Sequence, residues 1–372
     1  MLTDVRWGGL VGRELAAVDT PALLIDLDAM EHNLATMARF FEGRRAKLRP
    51  HAKTHKSPIV AHKQLALGAV GITCAKLGEA EVMVEAGVGD VLVANQVVGP
   101  TKIARLVALR HHARVTVAVD DADNLRELAR AASERGVELE VLVEVNTGMN
   151  RCGVEPGEPA LALARVAADL PGIRLRGIQA YEGHLVNVAD PEERAARVRA
   201  AMEPVLATRE RLEGEGLPVE VVSGGGTGTF AITGELDGFD EIQAGSYVFM
   251  DNAYGQLPGV REHFAQALSV LATVVSRPAA DRAVLDIGRK TLGVDHGTPR
   301  AKGYDDIEFV SFSEEHTKLA LHGAGRDLRV GDLVEVVPGH GCTTINLYDR
   351  YVALRGGVVE AVWPVAARGR AQ

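Results

Sequence analysis

The residues with the clearest chemical potential are Arg49-Pro50-His51-Ala52-Lys53-Thr54-His55-Lys56. They follow Ala46-Lys47-Leu48, which reads as a short strand, and precede Pro58 and the helix-like run IVAHKQLAL. Lys53 therefore stands where a strand hands its last residues to a loop, the catalytic end of a strand in a (β/α) barrel. A lysine there can form a Schiff base with an aldehyde cofactor such as pyridoxal phosphate. Pro50 is expected to interrupt strand pairing. Two histidines and a second lysine crowd the site, and neighbouring cations favour the free amine. His51 is a candidate catalytic group beside Lys53. The competing reading is a basic loop with a solvated lysine.

The elements needed to position such a lysine recur along the chain. ALLIDLDAM is a short apolar run. EHNLATMARFFEG then places Leu34, Met37, Ala38 and Phe41 at helical spacing. Strand-like runs follow: KLRPHA, AVGITCA, DVLVAN, VTVAV, LEVLVEVN, LRGIQAYEG, VEVVSGG and DEIQAGSYVF. Amphipathic helix-like runs fill most gaps between them, and the last gap is irregular. Strands apolar almost throughout and separated by helices imply parallel pairing with both faces covered. Eight such units favour a closed barrel over an open sheet. The expected fold is α/β: a (β/α)8 TIM-type barrel over residues 25–250, plus a mainly β domain. From residue 251 to the end, strand-like runs are joined by turns such as Gly331-Asp332 and Gly356-Gly357. Residues 1–24 are expected to join that domain, since a segment before the barrel must pack somewhere.

The strand ends of the barrel collect polar residues and glycines. Strand five ends in Asn146-Thr147-Gly148-Met149-Asn150-Arg151-Cys152-Gly153, and strand six in Gln179-Ala180-Tyr181-Glu182-Gly183-His184. Strand seven ends in Ser223-Gly224-Gly225-Gly226-Thr227-Gly228-Thr229, and strand eight in Gln243-Ala244-Gly245-Ser246-Tyr247. A site built from βα loops should look like this. His184 is a second candidate for acid–base work. The run SGGGTGT suits a phosphate: consecutive glycines let backbone N–H groups turn toward an anion, at the barrel position where phosphate sites recur. A flexible glycine loop is the plainer alternative, and no Gly-Lys-Ser/Thr makes it a Walker loop.

Near the end lies Pro338-Gly339-His340-Gly341-Cys342-Thr343-Thr344. If it continues the strand GDLVEVV, His340 and Cys342 point to one side. Imidazole and thiolate two residues apart can hold one metal with open positions, and sulfur favours zinc over magnesium or manganese. The alternative is a buried structural pair. His111-His112 reads as a surface pair and Cys74 as core.

Composition narrows the classes. The 372 residues carry a formal charge of −9 and only 4% aromatics, which argues against nucleic-acid binding. Three widely spaced cysteines suggest a reducing compartment. No signal-like stretch stands at the N-terminus and no run approaches the roughly 18 apolar residues of a membrane helix, so the expected location is cytoplasmic.

Taken together, RPHAKTHK, CAKLGEAE, VNTGMNRCGV, QAYEGH, SGGGTGT, AGSYVFMDNAYG and PGHGCTTINLYD resemble, in order and over nearly the whole chain, the D-threonine aldolase and D-serine dehydratase group of fold-type III pyridoxal-phosphate enzymes, relatives of alanine racemase. The resemblance implies a homodimer acting on a small D-amino acid. It makes Lys53 the Schiff-base lysine, puts Arg151, Gln179, Tyr181, Ser246 and Tyr247 at the cofactor, and gives the phosphate to Gly225, Gly226 and Thr227. A divalent ion (zinc, manganese or magnesium) falls to His340 and Cys342. FMDNAYG and NLYD look like the aldolase branch, which cleaves a D-3-hydroxy amino acid to glycine and an aldehyde. The aldolase pattern has aspartate where Cys342 stands, however, and His-x-Cys looks like the zinc-dependent dehydratases of D-serine or D-threo-3-hydroxyaspartate. An amino-acid racemase of the same fold would have no need of the metal pair.

Overall fold

A computed structural model describes Trp7 and residues 9–372. The chain divides into two units. One holds the described residues up to Thr36, Thr54–Ser57 and Ser246–Arg368; the other holds Met37–Lys53, Pro58–Gly245 and Gly369–Gln372.

The first strand, β1 (Ala22–Asp26), leads straight into helix α1 (Leu27–Phe41). The helix begins earlier than the run EHNLATMARFFEG suggests, because Asp26 Oδ1 accepts the Ala29 N–H at 3.1 Å and caps the first turn. Met30 then joins Leu34, Met37 and Phe41 in one buried stripe.

The second unit is the expected barrel. Its strands are β2 (Lys47–Leu48), β3 (Ile72–Cys74), β4 (Asp90–Val93), β5 (Arg114–Val119), β6 (Leu139–Glu144), β7 (Ile173–Ala180), β8 (Val221–Gly224) and β9 (Glu241–Ile242), all paired in parallel. Chain order is sheet order from β3 to β9, and β2 lies beside β9. The ring closes through residues 48–52. Val70 N–H donates to Leu48 O at 2.9 Å, Thr73 N–H to Pro50 O at 2.9 Å and Ala52 N–H to Thr73 O at 2.7 Å. Helices α2 (Pro58–Ala66), α3 (Leu77–Glu85), α4 (Pro100–Leu109), α5 (Ala122–Glu134), α6 (Glu158–Asp169) and α7 (Pro191–Gly214) fill the gaps, and only the short α8 (Phe230–Thr233) precedes β9. Strands β3 and β6 are buried at every residue, including Glu140 and Glu144 of β6, as expected of strands covered on both faces. Cys74 lies in this core, as its apolar strand implied.

The barrel interior also holds charge. The Arg49 guanidinium is 2% exposed; its Nε and Nη2 reach both oxygens of Glu241 at 2.8 Å and its Nη1 reaches Asp90 at 2.7 Å. Burial alone would lower its pKa, but the two carboxylates outweigh burial and raise it. Glu140, Arg114, Arg176 and Thr116 extend the network around the ring.

In the first unit, β10 (Leu268–Ala279) is the long central strand. The others are β11 (Arg282–Leu285), β12 (Arg300–Ala301), β13 (Ile307–Phe312), β14 (Thr317–Leu321), β15 (Leu333–Val337), β16 (Arg350–Arg355) and β17 (Val358–Pro364). The sheet runs β13-β14-β11-β10-β1-β16-β17, with β15 pairing β10 and β12. β1, an unassigned apolar run in the sequence, fills the place between β10 and β16. Two short helices, α9 (Asn252–Gly255) and α10 (Gly341–Ile345), interrupt the β pattern. No helix among the described residues is long and apolar enough to cross a membrane.

Arg49→Met should cost about 3–5 kcal/mol, because it leaves the buried Glu241 carboxylate without its paired guanidinium. Urea unfolding followed by circular dichroism measures this. A variant as stable as the parent would show that the ring of charge does not hold the barrel.

Candidate active site

Lys53 is the first residue past the paired part of the first barrel strand. Pro50 does not end that pairing, contrary to expectation. Proline lacks only the donor, and its carbonyl still accepts from Thr73. His51 N–H then donates to Ala244 O at 3.2 Å and bridges to Thr73, so the strand stays in register through Ala52. His51 itself is buried, and its Nδ1 accepts the Lys53 N–H at 3.4 Å.

The Lys53 side chain turns toward the loop after β7. Its Nζ lies 5.6 Å from the Tyr181 ring centroid, and the Arg151 guanidinium lies 5.6 Å from the same ring. Two cations on one aromatic ring make a positively charged platform. Arg151 reaches it because Asn146 shapes its loop: Asn146 Oδ1 accepts the N–H of Gly148 at 3.1 Å and of Asn150 at 3.0 Å. Asn150 has φ 56, a left-handed conformation that asparagine tolerates. Thr147 O–H donates to Tyr181 O at 2.9 Å and ties the two loops together. His184 is exposed on the loop after β7, beside Gly148.

The glycine run forms a tight turn free of side chains. A Cβ at Gly224 would lie 1.8 Å from Ala180 O, and Gly225 has φ +73. A Cβ at Gly226 would stand 3.3 Å from the Tyr181 ring, so the turn and the platform are neighbours. Thr227 is buried. The N–H groups of Gly225 and Gly226, expected from the sequence to turn toward an anion, are both donated within the protein. Gly225 donates to Glu182 Oε2 at 3.3 Å, and Gly226 donates to Thr229 Oγ1 at 3.0 Å. Glu182, fully buried, also accepts the hydroxyls of Thr229 at 2.7 Å and Thr233 at 2.5 Å. This anchor was missed in the sequence, although a carboxylate in the otherwise uncharged strand end QAY-E-GH is a signal. What favours an anion beside this turn is the pair of cations at the adjoining Tyr181 ring.

Gln179 is buried in the barrel, where its Oε1 faces Gln243 Nε2 at 3.4 Å and its side chain bonds Glu144. Burial pushes the Glu144 carboxyl above its ordinary range, against the opposing hydrogen bond from Gln96.

The remaining candidates belong to the first unit. Tyr247 is buried, with its ring 5.7 Å from Phe264. Ser246 Oγ lies 4.0 Å from Cys342 Sγ, and Cys342 Sγ lies 3.4 Å from the hydroxyl of Thr54, the residue that follows Lys53. The strand geometry expected for His340 and Cys342 does not hold. β15 ends at Val337, His340 is the N-cap residue of α10, and Cys342 lies in its first turn. The two side chains still meet. Their hydrogen bond, helped by Asp295 and opposed by burial, raises the His340 imidazole to about 9. Asp251, 2% exposed, accepts the Gly341 N–H at 2.9 Å and the Tyr254 N–H at 3.0 Å, fixing the backbone between the pair. Among the described residues no group of three or more His, Cys, Asp or Glu could hold a metal. Imidazole and thiol side by side still fit an ion that takes two protein donors and completes its shell with other ligands.

Residues 25–253 match the family model for the alanine racemase N-terminal domain, and residues 267–354 match that for a putative serine dehydratase domain. The chain is 41% identical to a D-threonine aldolase from Arthrobacter sp. over 96% of its own length and 95% of the relative's. The crystal structure of D-threonine aldolase from Filomicrobium marinum is 44% identical, with a TM-score of 0.95 covering 97% of this chain and 98% of that one. D-threo-3-hydroxyaspartate dehydratase from Delftia sp. HT23 is 32% identical, with a TM-score of 0.85 covering 94% and 98%. The same dehydratase has been solved as a histidine-to-alanine variant and, two positions further on, as a cysteine-to-alanine variant in a metal-free form.

Gly225→Val should weaken pyridoxal phosphate binding about tenfold or more. The left-handed conformation at 225 costs an ordinary L residue roughly 1–2 kcal/mol, and a branched side chain would also enter the turn. Spectrophotometric titration of the cofactor-stripped protein measures it; a folded variant with the parent's affinity would remove the phosphate from this turn.

Proposed function

Because this chain belongs to the family of alanine racemase-fold, pyridoxal-phosphate-dependent lyases that includes D-threonine aldolase, we propose that it cleaves D-3-hydroxy amino acids, D-threonine foremost, to glycine and an aldehyde. The observation that carries the reading is Lys53 at the end of its strand, facing a tyrosine that a second cation and a side-chain-free glycine turn also adjoin.

Pyridoxal phosphate, held by the Lys53 amine, supplies an electron sink for negative charge at the substrate's α-carbon. The protein's own groups do the rest. Gly225, Gly226 and Thr227 accommodate the phosphate, and Arg151 and Tyr181 flank the ring, with Gln179, Ser246 and Tyr247 in supporting places. His51 and His184 are the groups proposed to move protons. One accepts the β-hydroxyl proton as the Cα–Cβ bond breaks, and the α-carbon then takes up a proton, so that glycine and the aldehyde leave in balance. His340 and Cys342 hold a divalent ion, which would supply Lewis acidity at a hydroxyl oxygen. The assembly we propose is a homodimer, and the location cytoplasmic, in keeping with three free cysteines.

A second reading has one specific support. The His-x-Cys spacing matches the histidine and cysteine replaced in the dehydratase variants. In that case Lys53 takes the α-proton, the hydroxyl departs, and the products are a keto acid and ammonia.

Products decide between the two. D-Threonine should give glycine and acetaldehyde faster than D-serine gives pyruvate and ammonia; the reverse ranking would favour the dehydratase. Lys53→Ala should abolish turnover and covalent cofactor attachment, and attachment through Lys56 or Lys76 instead would refute the assignment. A chelator should remove activity while leaving the cofactor bound, with restoration by a divalent ion. Full activity in His340→Ala would make the pair structural and a racemase the better reading.

A further inference from the structure

Asp295 lies in the run GVDHGTPR, outside every stretch that the sequence singled out. Its carboxylate is held at both oxygens although the side chain is 49% exposed: Oδ2 meets His340 Nδ1 at 2.7 Å, and Oδ1 accepts the Thr343 hydroxyl at 2.6 Å. A carboxylate at this distance accepts, so His340 Nδ1 carries the hydrogen. The remaining nitrogen, Nε2, is then the one with a lone pair in the neutral ring. Thr344 O–H donates to His340 O at 2.8 Å and Asp251 receives the Gly341 N–H, so the backbone on which the imidazole turns is fixed as well.

We infer that Asp295 is a positioning residue for the divalent ion: it sets the tautomer and the rotation of His340 so that Nε2 is offered to the metal. This rests on the proposal that His340 and Cys342 hold that ion. A histidine ligand whose second nitrogen is tied to a carboxylate is a better and better-aimed base, and loss of such a carboxylate typically lowers metal affinity about 10–100-fold. With only two protein donors in the set, little else would compensate.

The test uses the full chain with its cofactor bound. Metal is removed with a chelator, then cobalt(II) and zinc(II) are titrated into the parent, His340→Ala, Asp295→Ala and Asp295→Asn, with thermal unfolding of each metal-free protein as control. Asp295→Ala should bind cobalt about 10–100-fold more weakly, with a shifted visible spectrum and an unchanged unfolding temperature. Asp295→Asn should recover part of the affinity, since its amide oxygen still accepts from Nδ1–H. If His340→Ala loses the ion while Asp295→Ala binds as the parent does, the positioning role is wrong and the metal reading stands. If Asp295→Asn loses as much as Asp295→Ala, Asp295 ligates the ion directly and positioning is again wrong. A parent that takes up neither ion overturns both.

Discussion

The barrel depends on how it tolerates a buried guanidinium. Arg49 is among the largest fully enclosed side chains of the described residues, yet it stands only four residues before Lys53, which lies just past the end of the same paired segment. An ion that deep costs several kcal/mol to strip of water unless its hydrogen bonds are met. Glu241 and Asp90 meet them from β9 and β4, so one side chain ties β9, the sheet neighbour of β2, to β4, which pairs with neither. With the strand held there, the residues that follow it have little freedom until Lys53. The basic octamer thus has two parts with different physics: an inward arginine that is structural, and a lysine that turns toward the Tyr181 ring.

The same device recurs wherever reactive side chains must be aimed. Glu182 collects two hydroxyls and a backbone N–H beneath the glycine turn, Asp251 fixes the peptide between His340 and Cys342, and Asp295 holds the imidazole. Loops are soft by default, since their backbone is not pinned by ladder bonds. A carboxylate that accepts several hydrogen bonds can replace those bonds, because charged acceptors bind roughly twice as strongly as neutral ones. For the buried Glu182 the cost is loss of water around its carboxylate, offset by the three donors it collects.

The barrel is legible in the sequence because its signal is redundant: eight apolar runs, most of them followed by a period-3.6 stretch, leave few folds that bury them all. The helix at Leu27 was placed late because its first turn, LDAM, is as apolar as the strand before it, and only the Asp26 cap separates them. At Pro50 a missing donor does not mean a missing strand, because the carbonyl still accepts from Thr73. The H-x-C pair was read as strand alternation, whereas the chain turns into a helix after Pro338. Carboxylate anchors were missed for a common reason. Glu182 and Asp295 act on residues 43–51 or 45–48 positions away, and nothing local in the sequence marks a partner at that distance.

Cys342 shows where the two chemistries of this family would part. In the proposed metal site, thiolate is a soft donor and carboxylate a hard one, so the residue at this position would bias the ion toward zinc or toward manganese and magnesium. Both kinds of ion can polarise a hydroxyl oxygen, and whether that hydroxyl loses its proton or departs depends on which bond at the α-carbon is aligned to break. The metal donor therefore selects the ion more directly than it selects the reaction. The reaction is set by the groups that orient the substrate, and the chain as a whole is nearer to an aldolase, at 44% identity and a TM-score of 0.95, than to the dehydratase, at 32% and 0.85. A cysteine at this one position is thus compatible with aldol cleavage, provided that the rim of the barrel presents the Cα–Cβ bond rather than the Cα–H bond.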